Sequence, residues 1–187
     1  MEPRIFLPLT EETALSLRMG DNVLLSGVLY TARDAAHERM TEQLKAGIPI
    51  PFDPKDAVIY YAGPSPAKPG QVIGSVGPTT AGRMDKWAPQ LMSLGVRGRI
   101  GKGRRSRDVT DAIRREHGIY FGAIGGCGAL LAKHVTACEL IAYEDLGPEA
   151  IRALRVEDFP VTVIIDCEGN DLYEQGRKMY LSGRSCQ

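Results

Sequence analysis

Short apolar runs and helical apolar spacings alternate along this chain. The apolar runs predict strands over residues 23–30, 57–62, 97–100, 119–121, 136–143 and 161–166. Apolar residues three and four positions apart predict helices over residues 36–44, from near Pro89 with the proline in the first turn, over 108–117, over a short piece at 151–154 and in a tail after 171. Because strands alternate with helices, we predict an α/β fold in one domain covering residues 1–187.

Turn and cap residues set the expected boundaries of these elements. Thr31 or Asp34 is expected to cap the helix that follows the first strand, and Gly47 to end it. Residues 63–70 contain three prolines and must form a loop. Neither side of this loop is long enough to stand alone, so it is expected to join two halves of one domain.

Composition narrows the class of protein. The chain has 187 residues, of which 43% are hydrophobic and 25% charged, as in soluble globular proteins. Lys and Arg total 23 and Asp and Glu total 23, so no overall field draws the chain to nucleic acid or membranes. No apolar run is long enough for a membrane span, and the first residues lack a signal-peptide pattern, so we expect a cytoplasmic protein.

The cysteines are too widely spaced for a metal site on this chain. None forms a C-x-x-C pair, which argues against zinc and against a self-contained iron–sulfur ligand set. We therefore expect no metal ligands here and free thiols in a reducing compartment. The four positions are Cys127, Cys138, Cys167 and Cys186.

The segment 77–85 carries the most chemistry in the fewest residues. Thr79 and Thr80 supply hydroxyls, Ala81 and Gly82 leave the backbone accessible, and Arg83 supplies a planar cation. Backbone N–H groups at the start of a helical segment favour anions, and an arginine fork suits a carboxylate or phosphate. Two interpretations stay open on the local pattern alone: an anion-binding loop, or a capped turn with a surface arginine.

Three cations follow predicted strands. Arg33 comes after the first strand, Arg83 belongs to the threonine loop, and Lys102 lies between two glycines after the strand at 97–100. Ligand sites of α/β sheets lie at such strand-to-helix junctions, so the three cations are candidates to converge on a small polyanion. Taken singly, each of these residues is more often an ordinary solvated charge at the protein surface. His37, one helical turn beyond Arg33, is expected either to brace the site through a hydrogen bond or to be structural.

Several known signatures fail at the level of spacing. Gly101-Lys102 lacks the other residues of a nucleotide P-loop, and the glycine-dense segment 122–128 lacks the G-x-G-x-x-G spacing of a dinucleotide site. Close ligand approach and plain packing both remain open for those glycines. The basic residues of 102–115 form either a nucleic-acid surface or a solvated face. Few aromatic residues are interleaved with them, which favours the solvated face.

Four motifs together closely resemble the β component of class I fumarate hydratases and L(+)-tartrate dehydratases. They are the segments 31–37 (TARDAAH), 77–85 (GPTTAGRMD), 100–103 (IGKG) and 122–126 (GAIGG). Later runs at 143–151, 156–160 and 169–173 continue the resemblance in order over nearly the whole chain. The resemblance does not choose between the two substrates.

This resemblance implies a swivelling β/β/α domain and a separate α subunit, in a two-plus-two heterotetramer. The α subunit would hold a [4Fe–4S] cluster whose open iron binds the substrate hydroxyl and a carboxylate as a Lewis acid. By carry-over, Arg33, Arg83 and Lys102 would hold the substrate carboxylates, Thr80, Ala81 and Gly82 would wrap the substrate, and Thr79 would transfer the proton.

The implied reaction is reversible hydration of fumarate to (S)-malate. Dehydration of L(+)-tartrate to oxaloacetate is the alternative, and a non-catalytic dicarboxylate-binding module is a further one. Thr79 is expected to need a carboxylate of the α subunit as its partner, because a free threonine hydroxyl is a poor base. Valine at position 82 is expected to damage fold and activity if Gly82 takes a positive φ angle.

Overall fold

The computed structural model describes residues 2–184 and contains a single seven-stranded sheet. Its order is β1-β2-β3-β4-β5-β7-β6, and β7 pairs a second time with β2. The five strands β2, β3, β4, β5 and β7 therefore close into a barrel. The strands are β1 Arg4–Phe6, β2 Asn22–Thr31, β3 Val58–Tyr60, β4 Gly98–Gly101, β5 Ile119–Gly122, β6 Val135–Ala142 and β7 Ile151–Ile165.

Six helices pack around this sheet within residues 2–184. They are α1 Glu11–Ser16, α2 Asp34–Lys45, α3 Ala88–Ser93, α4 Arg107–Arg115, α5 Gly128–Leu131 and α6 Leu172–Arg184. Short 3₁₀ turns occur at Ala81–Met84, Ala132–His134 and Glu144–Glu149. One face of the strands packs together as an internal cluster that includes Leu25, Phe121 and Phe159. The other face packs against α2, α3 and α4 through residues such as Met40 and Leu91.

Strand direction sets where functional residues can lie. β1 to β5 run parallel, while β7 runs antiparallel to β2, β5 and β6. The carboxyl ends of β2, β3, β4 and β5 therefore open on the same edge of the barrel. This is the edge at which ligands bind in sheets of this kind.

The predicted α/β class and most predicted elements are confirmed, with three differences. The helix predicted at 151–154 is wrong, because those residues begin β7 and pair with both β2 and β6. The capping prediction for α2 is also wrong: Thr31 lies in β2, Asp34 is the first helical residue, and the cap position is Arg33, which makes no side-chain cap bond. Strand β1 and helices α1 and α5 have no counterpart in the sequence prediction.

Three of the four cysteines lie among the described residues. Cys127, Cys138 and Cys167 are free thiols, and Cys186 lies outside the described residues. Over residues 2–184, no group of three or more His, Cys, Asp or Glu side chains is arranged to hold a metal ion. None of the helices in this part of the chain is long and apolar enough to cross a membrane.

Candidate functional site

The carboxyl edge of the barrel brings the predicted loop and cations together. Thr79 follows β3, and its N–H donates to the carbonyl of Tyr61 at 2.7 Å. The Lys102 N–H donates to the Thr79 carbonyl at 3.2 Å, and the Ala81 N–H donates to the Lys102 carbonyl at 2.8 Å. The threonine loop is thus held beside the end of β4, where Lys102 emerges.

Asp34 connects two of the predicted cations. Its Oδ2 lies 2.6 Å from Nη2 of Arg83 and 3.9 Å from Nε of Arg33. The same Nη2 of Arg83 donates to Oγ1 of Thr79 at 3.3 Å. Arg33, Arg83 and Thr79, which lie far apart in the sequence, therefore share one local network.

A second carboxylate lies on the other side of Arg33. Glu149 Oε1 is 3.5 Å from Nη2 of Arg33, and its Oε2 accepts a hydrogen bond from the Ala35 N–H at 2.9 Å. Glu149 therefore satisfies a free N–H in the first turn of α2 while it orients the arginine. Gly63 packs directly against Arg33 and Pro148: a Cβ there would be 3.0 Å from Nη1 of Arg33 and 2.9 Å from the Pro148 carbonyl oxygen.

Lys102 is the cation of this group that has no carboxylate partner among residues 2–184. It is exposed, and a Cβ on Gly125 would lie 3.5 Å from its Nζ. The glycine-dense segment therefore allows close approach at Gly125. Packing explains two other glycines: a Cβ on Gly122 would be 2.7 Å from Ile164, and one on Gly128 would be 2.8 Å from the Gly77 nitrogen.

The charges in this network leave a positive excess. Arg33, Arg83 and Lys102 contribute three positive charges, and Asp34 and Glu149 contribute two negative ones. The difference is one positive charge at a partly exposed edge. A dicarboxylate, with two negative charges, is attracted to this edge but is not fully neutralised by it.

His37 forms a hydrogen bond with the backbone of Arg33. Its Nδ1 donates to the Arg33 carbonyl at 2.8 Å, since a carbonyl oxygen can only accept. Burial lowers the pKa of His37 to about 4, so the ring is neutral near pH 7. The predicted hydrogen bond is thus present, and it acts on the backbone rather than on the guanidinium.

Asp85 anchors the far end of the threonine loop. Its Oδ1 accepts from Nε of Arg105 at 2.7 Å, and its Oδ2 accepts from the Ser106 N–H at 2.5 Å. The Arg105 guanidinium packs over the rings of Tyr120 and Tyr61, at 4.8 and 5.3 Å from their centroids. This buried pair fixes the loop to the segment that carries Lys102.

The basic cluster predicted at 102–115 is therefore not a uniform surface. Arg105 is buried and paired with Asp85. Arg107 and Arg114 both contact Asp111, and Arg115 contacts Glu116. Four of the six basic residues of the segment are thus paired with acids, which favours a solvated face over a nucleic-acid surface, whereas Lys102 and Arg104 form no ion pair within residues 2–184.

Gly82 does not have the positive φ angle on which its predicted sensitivity to valine depends. It lies in the 3₁₀ turn without a positive φ angle, and a Cβ there would meet only the Arg104 carbonyl oxygen, at 3.4 Å. Thr80 is exposed at the rim, whereas Ala81 is buried beneath the loop.

Four residues of the site were not predicted from the sequence: Asp34 as a partner of the arginines, and Glu149, Gly63 and Asp85. The position of Asp34 directly after Arg33 was the one local signal that could have indicated such a partner.

Fold and site together define an α/β barrel domain with a cationic edge suited to a small organic anion. Residues 4–176 match the family model described as "Fumarase C-terminus". The chain belongs to this family.

Relatives in the family have two different lengths. Fumarate hydratase 2 of Leishmania major is 43% identical over 84% of this chain and 28% of its own length. The aerobic class I fumarate hydratase of Salmonella typhimurium is 44% identical over 81% of this chain and 26% of its own length. The chain thus spans about a quarter of the length of these curated relatives.

A shorter relative matches from end to end. A Methanocaldococcus jannaschii protein, provisionally named an L(+)-tartrate dehydratase β subunit, is 37% identical over 94% of this chain and 93% of its own length.

Proposed function

We propose that this chain is the β subunit of a two-subunit hydro-lyase that hydrates fumarate reversibly to (S)-malate. The observation that carries the proposal is the network in which Thr79, Arg83, Asp34 and Arg33 meet, with Lys102 on the adjoining strand end. The family and the names of the relatives support the reaction class. The name of the Methanocaldococcus jannaschii relative, a β subunit that this chain matches over 93% of its length, supports a partner α subunit, on which we place the rest of the site.

The cationic side chains would stabilise the charge that the reaction develops. In the dehydration direction a proton leaves the carbon next to a carboxylate, and its electron pair moves into that carboxylate. The pair then forms the double bond as the C–O bond breaks and hydroxide departs. Arg33, Arg83 and Lys102 would favour the intermediate because cations already in place stabilise developing charge without rearrangement.

Thr79 would accept the proton. The Arg83 N–H that points at its Oγ1 favours the oxygen in its deprotonated form, because a charge-assisted hydrogen bond is stronger to an oxyanion than to a hydroxyl. Thr79 would still need a base to take its own proton. We assign that base to a carboxylate of the α subunit.

The described residues do not fit a [4Fe–4S] cluster: their cysteines are not gathered into a ligand set, and no three metal-ligating side chains converge within residues 2–184. We therefore place the cluster on the α subunit, where it would act as a Lewis acid. The one-charge excess at this edge agrees with a site that is incomplete without its partner.

Assembly and motion form part of the same proposal. The barrel with helices on its outer face would be the swivelling β/β/α domain that closes over the α subunit, in a two-plus-two heterotetramer. L(+)-tartrate dehydration to oxaloacetate is the second candidate reaction. The end-to-end match to the Methanocaldococcus jannaschii protein supports it.

The test is an anaerobic assay of this chain alone and together with a co-expressed, iron–sulfur-loaded α subunit, on fumarate, malate and L(+)-tartrate. We expect activity only from the pair, loss of activity in Thr79→Val, and partial retention in Thr79→Ser, which keeps the hydroxyl. Activity with tartrate alone would select the second candidate. An inactive pair, with tight diacid binding by this chain alone that survives Thr79→Val, would instead establish a non-catalytic binding module.

A further inference from the structure

A cavity of about 320 Å³ lies between the proline-rich loop and strands β6 and β7, and no side chain of the cationic network lines it. We call it the proline-loop cavity. One wall is formed by Pro64, Ser65 and Pro66, and the opposite wall by Gly147, Cys138 and Arg152. The proline spacing predicts only a connecting loop here, and the proposed reaction does not use it.

The loop wall is fixed to the body of the domain. The Ser65 N–H donates to the Ser75 carbonyl at 2.9 Å. A Cβ on Gly74 would lie only 2.2 Å from the Ser65 carbonyl oxygen, so the two segments pack backbone against backbone. The cavity is thus bounded by a packed loop rather than by a loose one.

Arg152 is the charged residue of this cavity, and its charge is poorly satisfied. Its Nε is buried and has no hydrogen-bond partner within the described chain. Nη2 reaches the Gly147 carbonyl at the long distance of 3.5 Å, the Cys138 thiol is a further hydrogen-bond neighbour of the guanidinium, and no acid of residues 2–184 forms an ion pair with it. The buried Nε is shielded from the cavity as well as from solvent, so a ligand would pair with the other nitrogens of the guanidinium. An anion in the cavity would balance a charge for which residues 2–184 supply no acid.

The rest of the lining restricts what the anion can be. Pro64, Pro66, Val72, Ile73 and Pro148 give the walls apolar surface, and no acidic or second basic side chain lines the cavity. One cation against apolar walls matches one carboxylate on an apolar body. A dianion such as fumarate would leave its second charge against those walls.

We propose that the proline-loop cavity is a second ligand site, which binds a small organic monocarboxylate through Arg152. The carboxylate accepts hydrogen bonds from the guanidinium, and the apolar body packs between the prolines and the side chains of β6 and β7. The site belongs to this chain itself and does not depend on the α subunit.

Cys138 provides a direct reporter, because its thiol lines the cavity. The probe is benzoate, and the readout is the rate at which iodoacetamide alkylates each cysteine, followed by mass spectrometry of the peptides. The reaction is run at alkaline pH, because burial raises the pKa of the Cys138 thiol. Benzoate at ten times its dissociation constant should slow Cys138 about tenfold, by the factor 1 + [L]/Kd. Cys127, outside the cavity, is the internal reference and should not change.

Matched controls separate the carboxylate–arginine contact from general effects. Benzamide, the uncharged analogue, should not protect Cys138. Arg152→Gln should abolish protection by benzoate, Arg152→Lys should restore part of it, and Arg155→Gln, an exposed arginine on the same strand, should leave it intact. Absence of protection in the wild-type chain would overturn the proposal. Equal protection by benzamide, or protection that persists in Arg152→Gln, would overturn it as well.

Discussion

Asp34 Oδ2 lies 2.6 Å from Nη2 of Arg83, and this ion pair joins the start of α2 to the threonine loop 49 residues further along the chain. The contact uses one nitrogen of the guanidinium, which also donates to Thr79. Neither Nε nor Nη1 of Arg83 contacts Asp34. Asp34 therefore orients Arg83 and leaves two of its nitrogens for a carboxylate ligand.

Asp34→Asn tests this positioning role. Without the carboxylate, Arg83 and Arg33 lose the group that fixes the positions of their guanidinium groups. We therefore expect the KM of the α/β complex for its diacid to rise about tenfold, equivalent to ~1.4 kcal/mol. Folding stability should change by no more than about 1 kcal/mol, since both side chains are partly exposed.

The matched control for this variant is Asp145→Asn, which breaks the exposed Arg39–Asp145 pair at the middle of the same helix. That variant should keep the wild-type KM. Tighter diacid binding in Asp34→Asn would show that Asp34 competes for Arg83 instead of orienting it.

Asp85→Asn should act on stability as well as on the site. The Arg105 side chain is fully buried, so removal of its anion leaves an uncompensated interior charge. Loss of one partner of a buried pair costs about 3–5 kcal/mol. Urea denaturation monitored by Trp87 fluorescence measures this loss, and Asp111→Asn on exposed α4 is the comparison. If both variants unfold at the same urea concentration, the buried pair does not anchor the loop.

Gly63→Ala should displace Arg33 by steric contact alone. The added methyl group would lie 2.9 Å from the Pro148 carbonyl oxygen, closer than real Cβ atoms come, and 3.0 Å from Nη1 of Arg33, a tight contact from which the guanidinium must move by a few tenths of an ångström. Isothermal titration of the diacid into the α/β complex should show weaker binding. Gly176→Ala, where a methyl group meets open space, should bind as wild type does. An unchanged affinity of Gly63→Ala for the diacid would contradict the role of Arg33 in binding it.

His37 predicts how stability depends on pH. Its pKa is about 4 in the folded chain, lowered by burial from an ordinary value of 6.5. Between these values the unfolded chain binds the extra proton, so stability is full above pH 6.5 and is lost as the pH falls towards 4. The whole shift corresponds to roughly 3 kcal/mol. Unfolding free energies at pH 7 and pH 5 should differ less in His37→Asn than in the wild type; an equal difference would refute the assignment.

The sequence was most informative where local signals and topology agree. Residues just after successive parallel strands must share one edge, so Arg33, the threonine loop and Lys102 were predictable as neighbours without coordinates. Ala36 and Met40 likewise occupy the buried face of α2 that their spacing predicts.

The remaining features depend on contacts between distant parts of the chain. Residues 151–154 have helix-like apolar spacing, but pairing with β2 and β6 makes them a strand. Glu149 reaches α2 only because β7 returns antiparallel beside β2. Arg105 looked like one of a run of surface charges, and only the position of Asp85 explains its burial. Such long-range pairs leave no periodic signal in a single sequence.

Turnover of the Arg83→Met complex tests the central claim most directly. The α/β pair carrying this variant is assayed anaerobically on fumarate and malate beside the wild-type pair, with circular dichroism and thermal melts of both. We predict a fall in turnover of at least about a hundredfold, the scale seen when one preorganised charge donor is removed. The fold should be unchanged, because a partly exposed ion pair adds little stability. Wild-type turnover from Arg83→Met would contradict the account.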